Sequence, residues 1–353
     1  MKKVREFATG WGNDYPMTWS NRVEEELVGT AKGHLLIPPF RPFDFLAAPN
    51  KELTFLANDQ TRIGVEALRG AEPQFHRNCD FDQVYFQWAG TTAYETEFGA
   101  IEMQPAELVL LPAGTSHRAT GSADSLRLSV KVRDPVEAVL TEKDHIGETA
   151  YRVLWNGGPD WPAPGNSGNR GNGKVVERIH TWDDKSDEVT TVERAYERLV
   201  GASTGGRPIH KIRTFDIFKE VTGRKGPGPV LMRNDDFLIE CYNTDGEQFA
   251  FHRGNRNEEF QFQFFGTADN ICEFGTEKMS PGDLFIVRRG IAHRVIGSAN
   301  FRRLVIYSKQ RWDLRIDPTR PLRRTRFDVG ETVVAAAPWR NELMSVTGPQ
   351  RRG

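Results

Sequence analysis

The stretch Phe251-His252-Arg253-Gly254-Asn255-Arg256-Asn257-Glu258-Glu259-Phe260, with Gly290-Ile291-Ala292-His293-Arg294 downstream, decides how this chain is read, because both pieces occur twice. At a constant offset of 176 residues stand Phe75-His76-Arg77-Asn78-Cys79-Asp80-Phe81-Asp82-Gln83-Val84 and Gly114-Thr115-Ser116-His117-Arg118. The register holds without a gap through Gln87/Gln263, Gly90/Gly266, Glu97/Glu273, Gly99/Gly275, Met103/Met279, Pro105/Pro281, Leu108/Leu284 and Gly121/Gly297. A repeat of that length exceeds any solenoid unit, so it is read as two copies of one whole domain. A chain of 353 residues suits two domains that each bury a core.

Outward from the repeated pieces, the chain is written in short apolar runs broken by Gly and Pro. Leu53–Ala57, 61–68, 84–88, 108–111, Leu126–Val132 and Phe237–Tyr242 carry the length and alternation of strands, which predicts an all-β barrel or sandwich. Residues 157–174 are rich in Gly, Pro and Asn and read as a connection between the copies. One helix is predicted, over 186–200, where Val189, Val192, Tyr196, Leu199 and Val200 fall near one face. The resulting division is 1–156 for the first domain, 157–205 for linker and helix, and 206–353 for the second domain.

Charge and composition narrow the function classes. With 47 Lys+Arg against 48 Asp+Glu and 38% apolar residues, neither a polyanion-binding surface nor disorder is indicated, so no nucleic-acid partner is expected. No apolar run approaches the ~18 residues of a membrane span, and no secretory signal is visible at the N-terminus. Cys79, Cys241 and Cys272 are odd in number and form no CxxC pair. Reduced thiols in a cytoplasmic protein are therefore expected.

The chemistry lies in the repeated stretch. His252, then a carboxylate six or seven residues on, then His293 is a spacing that neighbouring strands of a small barrel can bring together. Two imidazoles and one carboxylate on one side of an ion form the facial triad of non-haem Fe(II) oxygenases, leaving positions for substrate and dioxygen. The first copy holds His76 and His117 but Gln83 where the second holds Glu259. A neutral amide is a poor ligand for a hard divalent cation, so the metal is expected in the second copy. Asp82 could replace the missing acid only under the shorter register; otherwise His76 and His117 are hydrogen-bonded core histidines.

Strand alternation places Gln261 and Gln263 on the same face as Glu259 and turns Phe260, Phe262 and Phe264 the other way. The two amides are candidates for substrate binding, or for satisfying backbone groups. Arg253 and Arg294 each follow a candidate ligand and recur in the first copy, which favours structural ion pairs. No general acid or base is identifiable.

Glu258-Glu259 leading to Gly266, and Pro281-Gly282-Asp283 leading through Gly290 to His293, resemble the two motifs of the cupin superfamily. The resemblance implies a bicupin, two tandem jelly-roll β-barrels with one short linking helix. The general cupin pattern has a second His two residues after the first; here Asn78 and Gly254 stand there, which implies a three-ligand site. Such a site is a feature of homogentisate dioxygenase, and His76-Arg77-Asn78-Cys79 and Phe7-Ala8-Thr9-Gly10-Trp11-Gly12-Asn13 are similar to its motifs. The length resembles that of the large subunit of hydroquinone 1,2-dioxygenases, which work with a smaller partner subunit.

The usual cupin distance to the closing Gly picks Glu259; the homogentisate dioxygenase distance from the first His picks Glu258. The strand register favours Glu259. The resemblance implies Fe(II)-dependent cleavage of a hydroquinone-like or homogentisate-like ring with O2, in an oligomer. A metal-dependent isomerase or lyase, or a non-catalytic bicupin subunit, are the other readings that the fold admits.

Overall fold

The computed structural model describes residues 3–9, 18–23, 39–96, 99–139, 151–153, 174–183, 190–195, 207, 209–213, 230–242, 246–248, 251–272, 275–298 and 301–316. Within these the protein is all-β. The strands Leu53–Ala57, Leu126–Val132 and Phe237–Tyr242 have the bounds read from the sequence. The remaining runs lie in Thr61–Glu66, Asp82–Ala89 and Glu107–Leu111. They close into two jelly-roll barrels. The first is built from an 8-stranded and a 7-stranded sheet, the second from a 6-stranded and a 7-stranded sheet. No helix among the described residues is long and apolar enough to cross a membrane.

The expected linking helix is corrected. Thr190–Ala195 is a strand, paired antiparallel with Lys174–His180; the rest of 186–200 lies outside the described residues, as do 157–173. The apolar spacing there fits a helix, but Thr190, Thr191 and Val192 are β-branched and favour the extended chain once a partner strand is present. The described helical element is instead a 3₁₀ turn at Pro42–Phe45.

Period-two alternation divides each central strand between two destinations. In Glu258–Phe265 the Phe260, Phe262 and Phe264 rings enter the largest apolar cluster, while Glu259, Gln261 and Gln263 turn into the lumen of the second barrel. That cluster joins the two barrels through equivalent positions. Phe86 meets Phe264 at 5.0 Å and Trp88 meets Phe262 at 5.1 Å, both edge-on. Because Phe86 corresponds to Phe262 and Trp88 to Phe264, each of these contacts is the other's counterpart, as in an isologous dimer interface. Trp88 is 5% exposed. Trp88→Ala is expected to cost about 3–5 kcal/mol in chemical denaturation; a loss under about 1 kcal/mol would show that the ring carries little of this interface.

The copies also exchange strands. Lys3–Thr9 runs parallel to Phe251–Gly254 of the second barrel, and Lys174–His180 runs parallel to Phe75–Asn78 of the first. At the other end, Glu137–Ala138 pairs with Val230–Arg233, and Asp313–Leu314 pairs with Leu53–Ala57. Each barrel is thus completed by backbone hydrogen bonds to chain from outside its own domain, so neither presents those sheet edges to water.

Candidate metal centre

His252 and His293 sit directly opposite one another on the antiparallel strands Phe251–Gly254 and His293–Gly297, with ring centroids 4.1 Å apart. Glu259 reaches them from the facing sheet, its Oε2 3.2 Å from His293 Nε2. One ligand atom from each of the three lies within 4.8 Å of the others, and all three residues are buried. Among the described residues this is the one group of three His, Cys, Asp or Glu side chains that could hold a metal ion.

The donors fit an ion. His293 Nδ1 lies 3.3 Å from the Ile291 carbonyl, which only accepts, so that nitrogen carries a proton and Nε2 is the nitrogen turned toward Glu259. Nε2 and a carboxylate oxygen 3.2 Å apart need a proton or a metal ion between them, so the pair is poised to exchange one for the other. Burial, then His293 beside it, pushes His252 down to about 3, so its imidazole is neutral at physiological pH. Burial alone would raise Glu259, but the neighbouring His293, its hydrogen bond and His252 pull the carboxyl down to about 2. The set presents two imidazoles and one carboxylate, the donor types that divalent metals take.

Glu258 points to the opposite side of its strand. Its Oε2 accepts from Arg288 Nη1 at 2.5 Å and from the Trp312 backbone N–H at 2.9 Å. Asp82, its counterpart, is occupied in the same way by Arg207 at 2.6 and 2.7 Å and by the backbone of Ala113 and Val136. Gln83 takes the place of Glu259 and accepts from Asn78 Nδ2 at 2.8 Å. His76 and His117 repeat the close ring pair, with centroids 4.0 Å apart. His117 Nδ1 lies 3.0 Å from the Thr115 carbonyl, while its buried Nε2 has no hydrogen-bond partner.

Gln261 and Gln263 differ in what surrounds them. Gln261 donates to Glu259 Oε1 at 2.6 Å and lies 3.3 Å from His293 Nε2, so its N–H groups face the metal donors. Gln263 donates to the Phe265 carbonyl at 2.6 Å, a tie repeated by Gln87 to Ala89 at 2.7 Å. Arg294 lies over the Phe251 ring, as Arg118 lies over Phe75. A residue that the sequence reading did not single out is Arg303, 2% exposed, whose guanidinium donates to the side-chain oxygens of Gln261, Gln263 and Asn270. Burial lowers its pKa to about 9, against the pull of Glu259, so it remains charged at neutral pH. The signal in the sequence was its recurrence as Arg127, a cation amid the apolar runs of both copies.

The histidines set an acid limit on stability. Burial, more than any neighbouring charge, holds both His252 and His76 at about 3. Unfolded, both titrate near 6.5, so below that pH the unfolded chain binds the extra protons and stability falls as pH falls. The metal-free protein is expected to lose about 4 kcal/mol between about pH 7.5 and about pH 5, roughly 2 kcal/mol per histidine. Urea midpoints across that range measure it; a flat profile would show that both rings titrate normally.

Fold and site together define a double jelly-roll barrel with a His/Glu/His set, able to hold a metal, in its second lumen. No protein-family model matches the chain. A Saccharolobus solfataricus protein named "Putative dioxygenase" is 29% identical over 66 residues, 18% of this chain and 17% of that protein. The match therefore spans about a sixth of that relative's length. Among solved structures, a cupin 2 conserved barrel domain protein from Leptotrichia buccalis aligns with 78% of this chain and 98% of its own, at 10% identity and TM-score 0.43. The Bacillus subtilis oxalate decarboxylase aligns over 80% of each chain at 11% identity and TM-score 0.40.

Proposed function

We propose that the protein is an Fe(II)-dependent dioxygenase that cleaves a hydroquinone-like or homogentisate-like aromatic ring. The observation that carries this reading is the convergence of His252, Glu259 and His293 within 4.8 Å in a buried lumen. Two imidazoles and a carboxylate are the donor set of non-haem iron oxygenases, and three protein donors leave positions for two reactants. A bound Fe(II) supplies Lewis acidity toward a phenolic oxygen and a path for electrons to dioxygen.

The chain's own residues do the rest. The Ile291 carbonyl fixes the His293 tautomer, and the Gln261 N–H groups, aimed at the same space, hold an oxygen of the ring substrate. Burial of all three donors excludes bulk water and strengthens each electrostatic contact there. Holding both reactants in one place removes the orientation cost of a bimolecular step. By the same reading the chain works in the cytoplasm as an oligomer, with a smaller partner subunit.

The test is metal analysis of anaerobically purified protein, combined with oxygen uptake on a panel of hydroquinones, with and without co-expressed candidate small subunits. About one iron per chain with substrate-dependent oxygen consumption supports the proposal. Zinc, with turnover that persists under argon, would move the assignment to a Lewis-acid isomerase or lyase. No stoichiometric metal would leave a non-catalytic subunit.

A further inference from the structure

The two lumens are equivalent position by position, and they differ in how a buried arginine is neutralised. In the first barrel Arg127 stands opposite Glu66 on the neighbouring strand and donates to Glu66 Oε2 at 2.6 and 2.9 Å, with Glu72 Oε1 at 3.4 Å. In the second barrel Arg303 occupies the same cross-strand place, but opposite it is Tyr242, and the counterpart of Glu72 is Gln248. Gln248 donates to the Tyr242 hydroxyl at 3.0 Å, so both former acids are neutral and tied to each other. The hydrogen-bond acceptors around Arg303 are amide oxygens and the Met279 sulfur, with no carboxylate among them. Glu240, on the lumen face of the Tyr242 strand, lies one step further along, opposite Val305.

A buried guanidinium with no carboxylate in direct contact is costly to keep, and Glu259, the acid that acts on Arg303 from a distance, is reached through Gln261 and belongs to the metal donor set. The directly bonded counter-ion is absent from the barrel that carries the metal donors and present in the one that lacks Glu259. We infer that Arg303 is a specificity-determining residue that makes the second lumen select an anionic ligand, acting through Gln261. Arg303 donates to the Gln261 side-chain oxygen and thereby turns the amide N–H groups toward Glu259 and His293. Polarised by that charge, the amide is a stronger donor to a carboxylate or phenolate oxygen than to a neutral one. The inference rests on the second lumen being the reactive site and is independent of dioxygen chemistry.

The experiment compares 4-hydroxyphenylacetate with 4-hydroxyphenylacetamide, nearly equal in shape and different in charge. Binding is measured by calorimetry under argon to zinc-loaded protein, with zinc content determined separately. The acid is expected to bind about tenfold or more tighter. A metal ion also attracts anions, so the decisive arm is Tyr242→Glu, which grafts the first barrel's counter-ion opposite Arg303. With zinc retained, this variant is expected to lose most of the preference for the acid. Gln248→Glu serves the same purpose if the first variant does not fold. Equal affinity for the two probes, no binding of the acid, or a preference undiminished in a zinc-loaded folded variant overturns the inference. Failure to take up zinc instead counts against the metal reading, and the comparison is then run on the metal-free protein, where a preference for the acid is still expected.

Discussion

Glu259→Gln is expected to release the metal and abolish turnover, whereas Glu258→Gln is expected to keep the metal and lose stability. The two side chains are adjacent in sequence and separated by the strand between them. Glu259 is the single anionic donor of the lumen set, 3.2 Å from His293 Nε2. Its amide isostere reproduces what the first barrel already has in Gln83. Removing a ligand should weaken metal binding by well over the ~100-fold that loss of an outer hydrogen bond can cost. Glu258 instead holds the buried Arg288 at 2.5 Å and caps the Trp312 N–H. Neutralising it strands the guanidinium, a loss of about 3–5 kcal/mol. Metal content and urea unfolding of the two variants decide the matter. Metal lost from the Glu258 variant and kept by the Glu259 variant would reverse the assignment.

Fragments 1–156 and 157–353 expressed separately are expected to be insoluble or unfolded, whereas co-expressing them should recover folded material. The reason is the exchange of strands. The first barrel's Phe75–Asn78 edge is completed by Lys174–His180, and its Leu53–Ala57 edge by Asp313–Leu314. The second barrel takes Lys3–Thr9 and Glu137–Ala138 in return. Separation exposes these edges together with the apolar sheet face bearing Trp88, Phe86, Phe262 and Phe264. Such surfaces aggregate in water. A soluble first fragment with cooperative unfolding would show that the exchanged strands are dispensable.

Several features were legible before any coordinates. The run Glu259-Phe260-Gln261-Phe262-Gln263-Phe264 can satisfy a lumen and an apolar face together only as a strand. Its polarity also placed Glu259 and Gln261 on one side and the phenylalanines on the other. Residues 190–195 misled because their apolar spacing fits a helix, and the partner strand that overrode it is distant information carried by pairing with 174–179. Gln263 looked like Gln261 by alternation, yet it is drawn into the turn carbonyl of Phe265, a matter of side-chain reach that period alone does not report.

The sequence by itself determined the duplication, the all-β architecture and the identities of the two imidazoles and candidate acids, because these follow from spacing and from the two-residue period of a strand. Only the tertiary structure decided which copy supplies each sheet edge, since identical repeats pair equally well within or across copies until the chain is closed. It alone also showed that Arg303 faces Tyr242 where Arg127 faces Glu66. The absence of an acid directly opposite a buried cation is a property of cross-strand register, and register between strands sixty residues apart is set by packing rather than by local pattern.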